Sequence, residues 1–238
     1  MADTPVMPEI IVKSQRSGRF LYSHGSETHI ITRDDIESFQ ANTIAELIQM
    51  IASVDVRDRG TPGSQSDMAI RGSSGEGVLV MVNGIGVRDP QTGHFTMDIP
   101  VDLAYVERIE VLSGGGSTLY GSPASGGVIN IVTSNDFMGI KGGINAGSYG
   151  SADASAGIGF PLRGSNISIH VRGGRSDGDV HGTDLEYSGT DVDGSYRSDN
   201  LNINWNMGFL DKRFGAEGFY APYPSFEKTH TLMGGVNV

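Results

Sequence analysis

The residues best suited to chemistry are acidic. Between Asp177 and Asn200 stand Asp177, Asp179, Asp184, Glu186, Asp191, Asp193 and Asp199, opposed only by Arg197. Several carboxylate oxygens in one polar loop could hold a hard cation such as Ca²⁺, with Asp177, Asp179, Asp184, Asp191 and Asp193 as candidate ligands. The order of an EF-hand is absent, and a solvated acidic loop is the plainer reading. Two further polar stretches, Arg57 to Asp67 and Arg88 to Asp98, carry Arg57, Asp58, Arg59, Arg88, Asp89, Gln91, His94 and Phe95. They read as long loops, where binding residues concentrate.

Catalytic signatures are missing. There is no G-x-x-x-x-G-K-[ST] phosphate loop, and the glycines after Val82 lack the third of a dinucleotide fingerprint. No G-x-S-x-G elbow and no H-E-x-x-H pair occur. The expectation is therefore a protein that is not an enzyme and needs no cofactor beyond the Ca²⁺ considered above.

The elements that would position these residues follow from composition and periodicity. The 238 residues include 35 glycines and no cysteine, 37% are hydrophobic, and the net charge is −11. That length allows one or two domains with a true core. The charge argues against a nucleic-acid partner, and the lack of cysteine excludes disulfides and thiolate metal sites. No apolar run is long enough for a membrane helix. Membrane strands, however, alternate faces and escape hydropathy averages. The start, MADTPVMPEI, lacks the pattern of a secretion signal.

Residues 1–29 read as an extended lead-in containing the β-prone island Pro8 to Lys13. Thr32 with Asp35 and Thr43 with Glu46 have capping-box spacing. Ile44, Leu47, Ile48 and Ile51 recur at helical spacing and should face a core. Val78 to Val82 reads as a buried strand ended by an Asn83-Gly84 turn. Val106 to Leu112 and Val128 to Val132 are β-branched runs joined by a glycine-rich linker. Beyond Thr133 the pattern becomes alternating. Ile167, Ile169 and Val171 share one face, as do Leu201, Ile203, Trp205, Met207 and Phe209, with Asn202, Asn204 and Asn206 opposite. Ala152 to Phe160, Lys212 to Tyr220 and Leu232 to Val238 read as further strands. Such alternation suits a sandwich with the apolar face inward or a membrane barrel with it outward.

The segment VERIEVLSGGGSTLYGSPASGGVINIVT, Val106 to Thr133, resembles the end of the plug domain of TonB-dependent outer-membrane receptors. Glu107, Arg108, Ile109, Glu110, Val111, Leu112, Gly114, Ser117, Leu119, Tyr120, Gly121, Gly126, Gly127, Val128, Ile129, Asn130, Ile131 and Thr133 fit the family pattern. Ser113 stands in place of the usual Arg and Gly115 in place of the usual Pro. Met68 to Gly72 is similar to the plug's I-R-G element, and VLVMVNGIGV to its hairpin. FGAEGFYAPYPSFEKTHT resembles barrel sequence of cobalamin-receptor-like members.

The resemblance implies an α+β plug domain, a small mixed sheet with short helices, over 30–136. Antiparallel transmembrane β-barrel strands over 137–238 would follow, and the barrel would be incomplete in this chain. Receptors of this type close with about 22 strands, whereas 10 residues per strand allows about six here. By resemblance, Glu9, Ile10, Ile11 and Val12 form a TonB box that adds to a sheet edge of TonB; the alternative is an ordinary first strand. The two polar loops would face ligand, and Arg71 and Arg108 would tie plug to barrel. Calcium sites in early outer loops of the vitamin B12 branch favour the Asp177 to Asp193 set.

The implied function is energy-coupled uptake of a scarce bulky nutrient across the Gram-negative outer membrane, with a corrinoid first and a ferric siderophore second. Its partners would be TonB, membrane lipid and that ligand. Two alternatives remain at this point. One is a transport-incompetent plug fragment acting only as a TonB- or ligand-binding module. The other is a secreted β-rich structural protein.

Overall fold

The computed structural model describes residues 27–51, 53–73, 75–89, 94–134 and 137–238. Glu9, Ile10, Ile11, Val12 and Gln91 lie outside them.

The first layer is a five-stranded mixed sheet. Its strands are β1 (Glu27–Thr32), β4 (Val78–Val82), β5 (Ile85–Val87), β6 (Val106–Ser113) and β7 (Gly127–Thr133), in the order β1-β6-β7-β4-β5. The two β-branched runs lie side by side as β6 and β7, antiparallel, while β4 joins β7 in parallel. Asn83 and Gly84 both have positive φ, as a two-residue hairpin turn requires. The lead-in ends earlier than its composition suggests, because residues 27–29 already pair with β6.

Helix α1 (Arg33–Phe39) opens on a complete capping box between Thr32 and Asp35. Helix α2 (Ile44–Gln49) is capped by Thr43, and the Glu46 carboxylate takes the Asn42 N–H. Ile44, Leu47, Ile48 and Ile51 are buried, as their spacing predicts. They meet Ile70, Val80, Val82, Ile109, Ile129 and Ile131 in one continuous core.

The stretch expected as one loop from Arg57 to Asp67 is largely a hairpin. Strands β2 (Val54–Arg59) and β3 (Gln65–Ile70) pair antiparallel and leave a turn only at 60–64. Charged residues hide this pairing, since one hairpin face is left to solvent and carries Asp55 and Arg57.

The second layer is a six-stranded antiparallel wall, not closed on itself. It comprises β8 (Gly139–Ala146), β9 (Ala152–Leu162), β10 (Ser165–Ser176), β11 (Leu185–Ser198), β12 (Leu201–Gly215) and β13 (Phe226–Asn237) in chain order. Two expectations are corrected here. The Asp177 to Asn200 loop is confined to 177–184, because β11 runs through the rest. Lys212 to Gly215 ends β12, and residues 216–225 form a loop rather than a new strand.

Period two decides which wall face meets the plug. Asn206, Gly208, Leu210, Lys212 and Phe214 are buried, whereas Met207 and Phe209 on the other face are exposed. Ile140 is 83% and Leu232 70% exposed. An apolar face turned away from the core, with polar residues turned inward, is the pattern of a lipid-facing barrel wall. The sandwich arrangement has the opposite sense and is excluded.

Candidate outer binding surface between plug and wall

Turn length separates the two ends of the wall. Residues 163–164 and 199–200 make two-residue turns, while 147–151, 177–184 and 216–225 are longer. Short turns mark the periplasmic end of such walls and long loops the outer end. The plug turn at 60–64 lies at the outer end, where Thr61 Oγ1 donates to the Thr183 carbonyl at 2.5 Å.

There the plug and the wall build one polar, aromatic surface. Asp67 receives Arg59 Nε at 2.8 Å and faces His94 Nδ1 at 2.9 Å. Arg59 also donates to the Phe219 carbonyl at 2.9 Å and lies over the Tyr220 ring at 5.9 Å. Tyr220 Oη donates to Gln65 Oε1 at 2.8 Å, and its ring centroid is 6.5 Å from that of His94. Gln65 is buried, and its Nε2 has no partner among the described residues. Burial alone would raise the Asp67 carboxyl, but the hydrogen bonds and charges of His94 and Arg59 outweigh it and hold the group below its usual value. A cation, an imidazole, a phenol and an amide thus converge at the outer end of the seam between plug and wall.

The other loop candidates have different partners. Phe95 packs against the cluster of Leu185, Phe214 and Ala216. Arg57 is exposed and held by Asp55 at 2.8 Å, and Asp58 accepts from Ser66. Arg88 is exposed, beside Asp89.

A buried clamp lies directly beneath. Lys212 Nζ donates to the carbonyls of Gly63, at 3.1 Å, and Ser64, and pairs with Asp98. Thr229 Oγ1 donates to the second Asp98 oxygen at 2.9 Å. Burial pushes the Asp98 carboxyl up, and Lys212 pulls it back. Arg172 reaches the Ile99 carbonyl at 2.7 Å. Beside the clamp, a cavity of about 620 Å³ separates α2 from the wall, lined by Glu46, Thr61, Met97, Tyr187 and Leu210 among others. Lys212 and Tyr220 were absent from the sequence-based candidates. Extending the inward Asn202-Asn204-Asn206 face by period two reaches Lys212; Tyr220 follows β12 in an irregular loop and had no such signal.

Further along the seam, Tyr105 Oη donates to the Lys141 carbonyl at 2.9 Å, and its ring stacks on His170 at 3.6 Å. Burial, then the charges of Asp102 and Asp191, push the Tyr105 phenol up to about 12, which keeps it a donor. The two arginines expected at the seam have plug partners: Arg71 meets Glu27 at 3.4 Å, and Arg108 meets Glu110 at 2.8 Å and Glu107 at 3.3 Å. The five aspartates do not gather. Asp177, Asp179 and Asp184 belong to the outer loop, whereas Asp191 and Asp193 lie mid-strand on the buried face of β11.

A small mixed-sheet domain clamped to the polar face of a lipid-facing wall is a plugged-barrel arrangement. Residues 21–128 match the TonB-dependent Receptor Plug Domain, and the chain carries the plug domain and part of the barrel wall of a TonB-dependent outer-membrane receptor. It is 31% identical over 188 residues to the vitamin B12 transporter BtuB of Vibrio cholerae, covering 73% of this chain and 31% of the relative. It is 26% identical over 207 residues to BtuB of Vibrio vulnificus, covering 87% and 34%. The chain thus spans about a third of the length of these curated relatives. In fold it is similar to the ferric citrate transporter FecA, with a TM-score of 0.67 and 22% identity over 81% of this chain and 32% of that one. It is also similar to the Pseudomonas aeruginosa ferric enterobactin receptor PfeA in complex with enterobactin, at TM-score 0.62 and 20% identity over 87% and 38%.

Proposed function

We propose that this chain serves energy-coupled uptake of a bulky nutrient across the outer membrane, with a corrinoid as the ligand. The observation that carries this reading is the shared outer surface, where Arg59, Gln65 and His94 of the plug meet Tyr220 of the wall. A corrinoid offers an apolar ring face and peripheral amides, which suit the exposed Tyr220 ring beside the Arg59 guanidinium. Similarity to two vitamin B12 transporters supports the same ligand class.

Energy would come from TonB, pairing with the lead-in at Glu9 to Val12 and pulling on the chain that enters β1.

The test is difference spectroscopy with cyanocobalamin on outer membranes from cells expressing the gene, comparing the unaltered protein with Arg59→Ala and Tyr220→Ala. Saturable binding that weakens about tenfold in each variant, equivalent to about 1.4 kcal/mol, is the expected result. A response to ferric siderophores alone would move the reading to that class. Silence toward both would refute it.

A further inference from the structure

We infer that the wall carries a buried site for a first-row divalent cation at His170, Asp191 and Asp193, at the seam with the plug and distinct from the outer loops. His170 Nδ1 shares a hydrogen bond with Asp191 Oδ2 at 2.5 Å and lies 3.8 Å from Asp193 Oδ2, and a cation entering between them would replace that hydrogen bond. One ligand atom from each residue fits within 4.8 Å of the others, and all three side chains are buried.

Charge supports the assignment. Two buried carboxylates beside a single imidazole concentrate negative charge away from water, and a dication would offset it. Neighbouring lumen-facing cations are engaged elsewhere: Lys212 with Asp98, Arg172 with the Ile99 carbonyl, and Lys141 with the Ala104 carbonyl.

Unsatisfied polar atoms point the same way independently. Ser168 and Asn206 lie directly opposite Asp193 on its two neighbouring strands. Ser168 Oγ and Asn206 Oδ1 are buried without a partner among the described residues. Buried oxygens are rarely left unpaired, and two around one carboxylate suit a cation with its remaining water. The plug closes the site: Thr133 Oγ1 donates to Asp193 Oδ1 at 3.1 Å, and the Tyr105 ring covers His170. One imidazole with carboxylate oxygens favours Zn²⁺ or a similar ion over Ca²⁺, which takes oxygen ligands alone.

The inference does not depend on the transported ligand. Protein extracted in detergent from outer membranes would be equilibrated with Zn²⁺, desalted and analysed for zinc. The expected result is about one zinc per chain, reduced at least tenfold in His170→Gln and Asp193→Asn. His230→Gln, at the exposed His230–Asp211 pair, should retain the metal. X-ray absorption of the loaded unaltered protein should show one imidazole among oxygen donors, a readout that does not need the variants to fold. Absence of zinc from the unaltered protein, full retention by His170→Gln, a Ca²⁺ preference, or a spectrum without imidazole would each overturn the inference.

Discussion

Lys212 of the wall and Asp98 of the plug form an ion pair in which both side chains are 4% exposed. It joins an inward position of β12 to the two plug segments that reach the outer surface. The Lys212 ammonium also binds the backbone of the 60–64 turn, so one side chain holds both segments.

Removing either partner leaves a buried, uncompensated charge. Lys212→Met or Asp98→Asn should each destabilise the seated plug by about 3–5 kcal/mol, whereas the double replacement should cost less than the sum. Limited proteolysis of the 60–64 turn in membranes would measure this.

Gly208 is required by close approach. A Cβ there would stand 2.6 Å from Pro100 Cγ and 2.9 Å from the Pro100 carbonyl oxygen. Gly208→Val should push the plug off β12 at a cost of about 1–3 kcal/mol. Gly143→Val on β8, where a Cβ meets nothing within 4 Å, should be tolerated. Thermal unfolding of the two variants makes the comparison.

Acid should loosen the outer surface. The folded Asp67 carboxyl titrates below its unfolded value. Its stabilising contribution is therefore complete above the unfolded pKa and is lost as pH falls through the folded one, below about pH 4. Hydrogen exchange in β2 and β3 should rise in that window, and Asp67→Asn should remove the pH dependence while raising exchange at neutral pH.

Within the plug, Ile129 is fully buried at the centre of the core. Ile129→Ala should cost about 2–5 kcal/mol, while Thr32→Ala, which breaks only the α1 capping box, should cost about 1 kcal/mol. Chemical denaturation monitored by hydrogen exchange of β7 would rank them.

Strand and helix content was legible wherever one spacing ran uninterrupted. Ile44 to Ile51, the β6–β7 pair and the alternation from Leu201 each stand where their periods place them. Legibility failed where charge masked alternation, as in β2, β3 and β11. On β11, Asp191 and Asp193 occupy inward positions that an apolar pattern would have revealed.

The outer surface was half legible. Arg59 and His94 were apparent because polar residues in plug loops face outward by family resemblance. Gln65, Tyr220 and Lys212 were not, because their roles depend on partners 114 to 155 residues away along the chain. Local pattern, through hydrogen-bond geometry and the two side-chain periods, determined the elements and the plug-like block, while burial in the folded chain decided the outward sense of the wall. Tertiary structure alone decided which inward side chains meet, because the plug's seating against the wall brings Lys212 to Asp98 and Tyr105 to His170. Those pairings are set by the packing of two separate layers, and no spacing along a single strand encodes them.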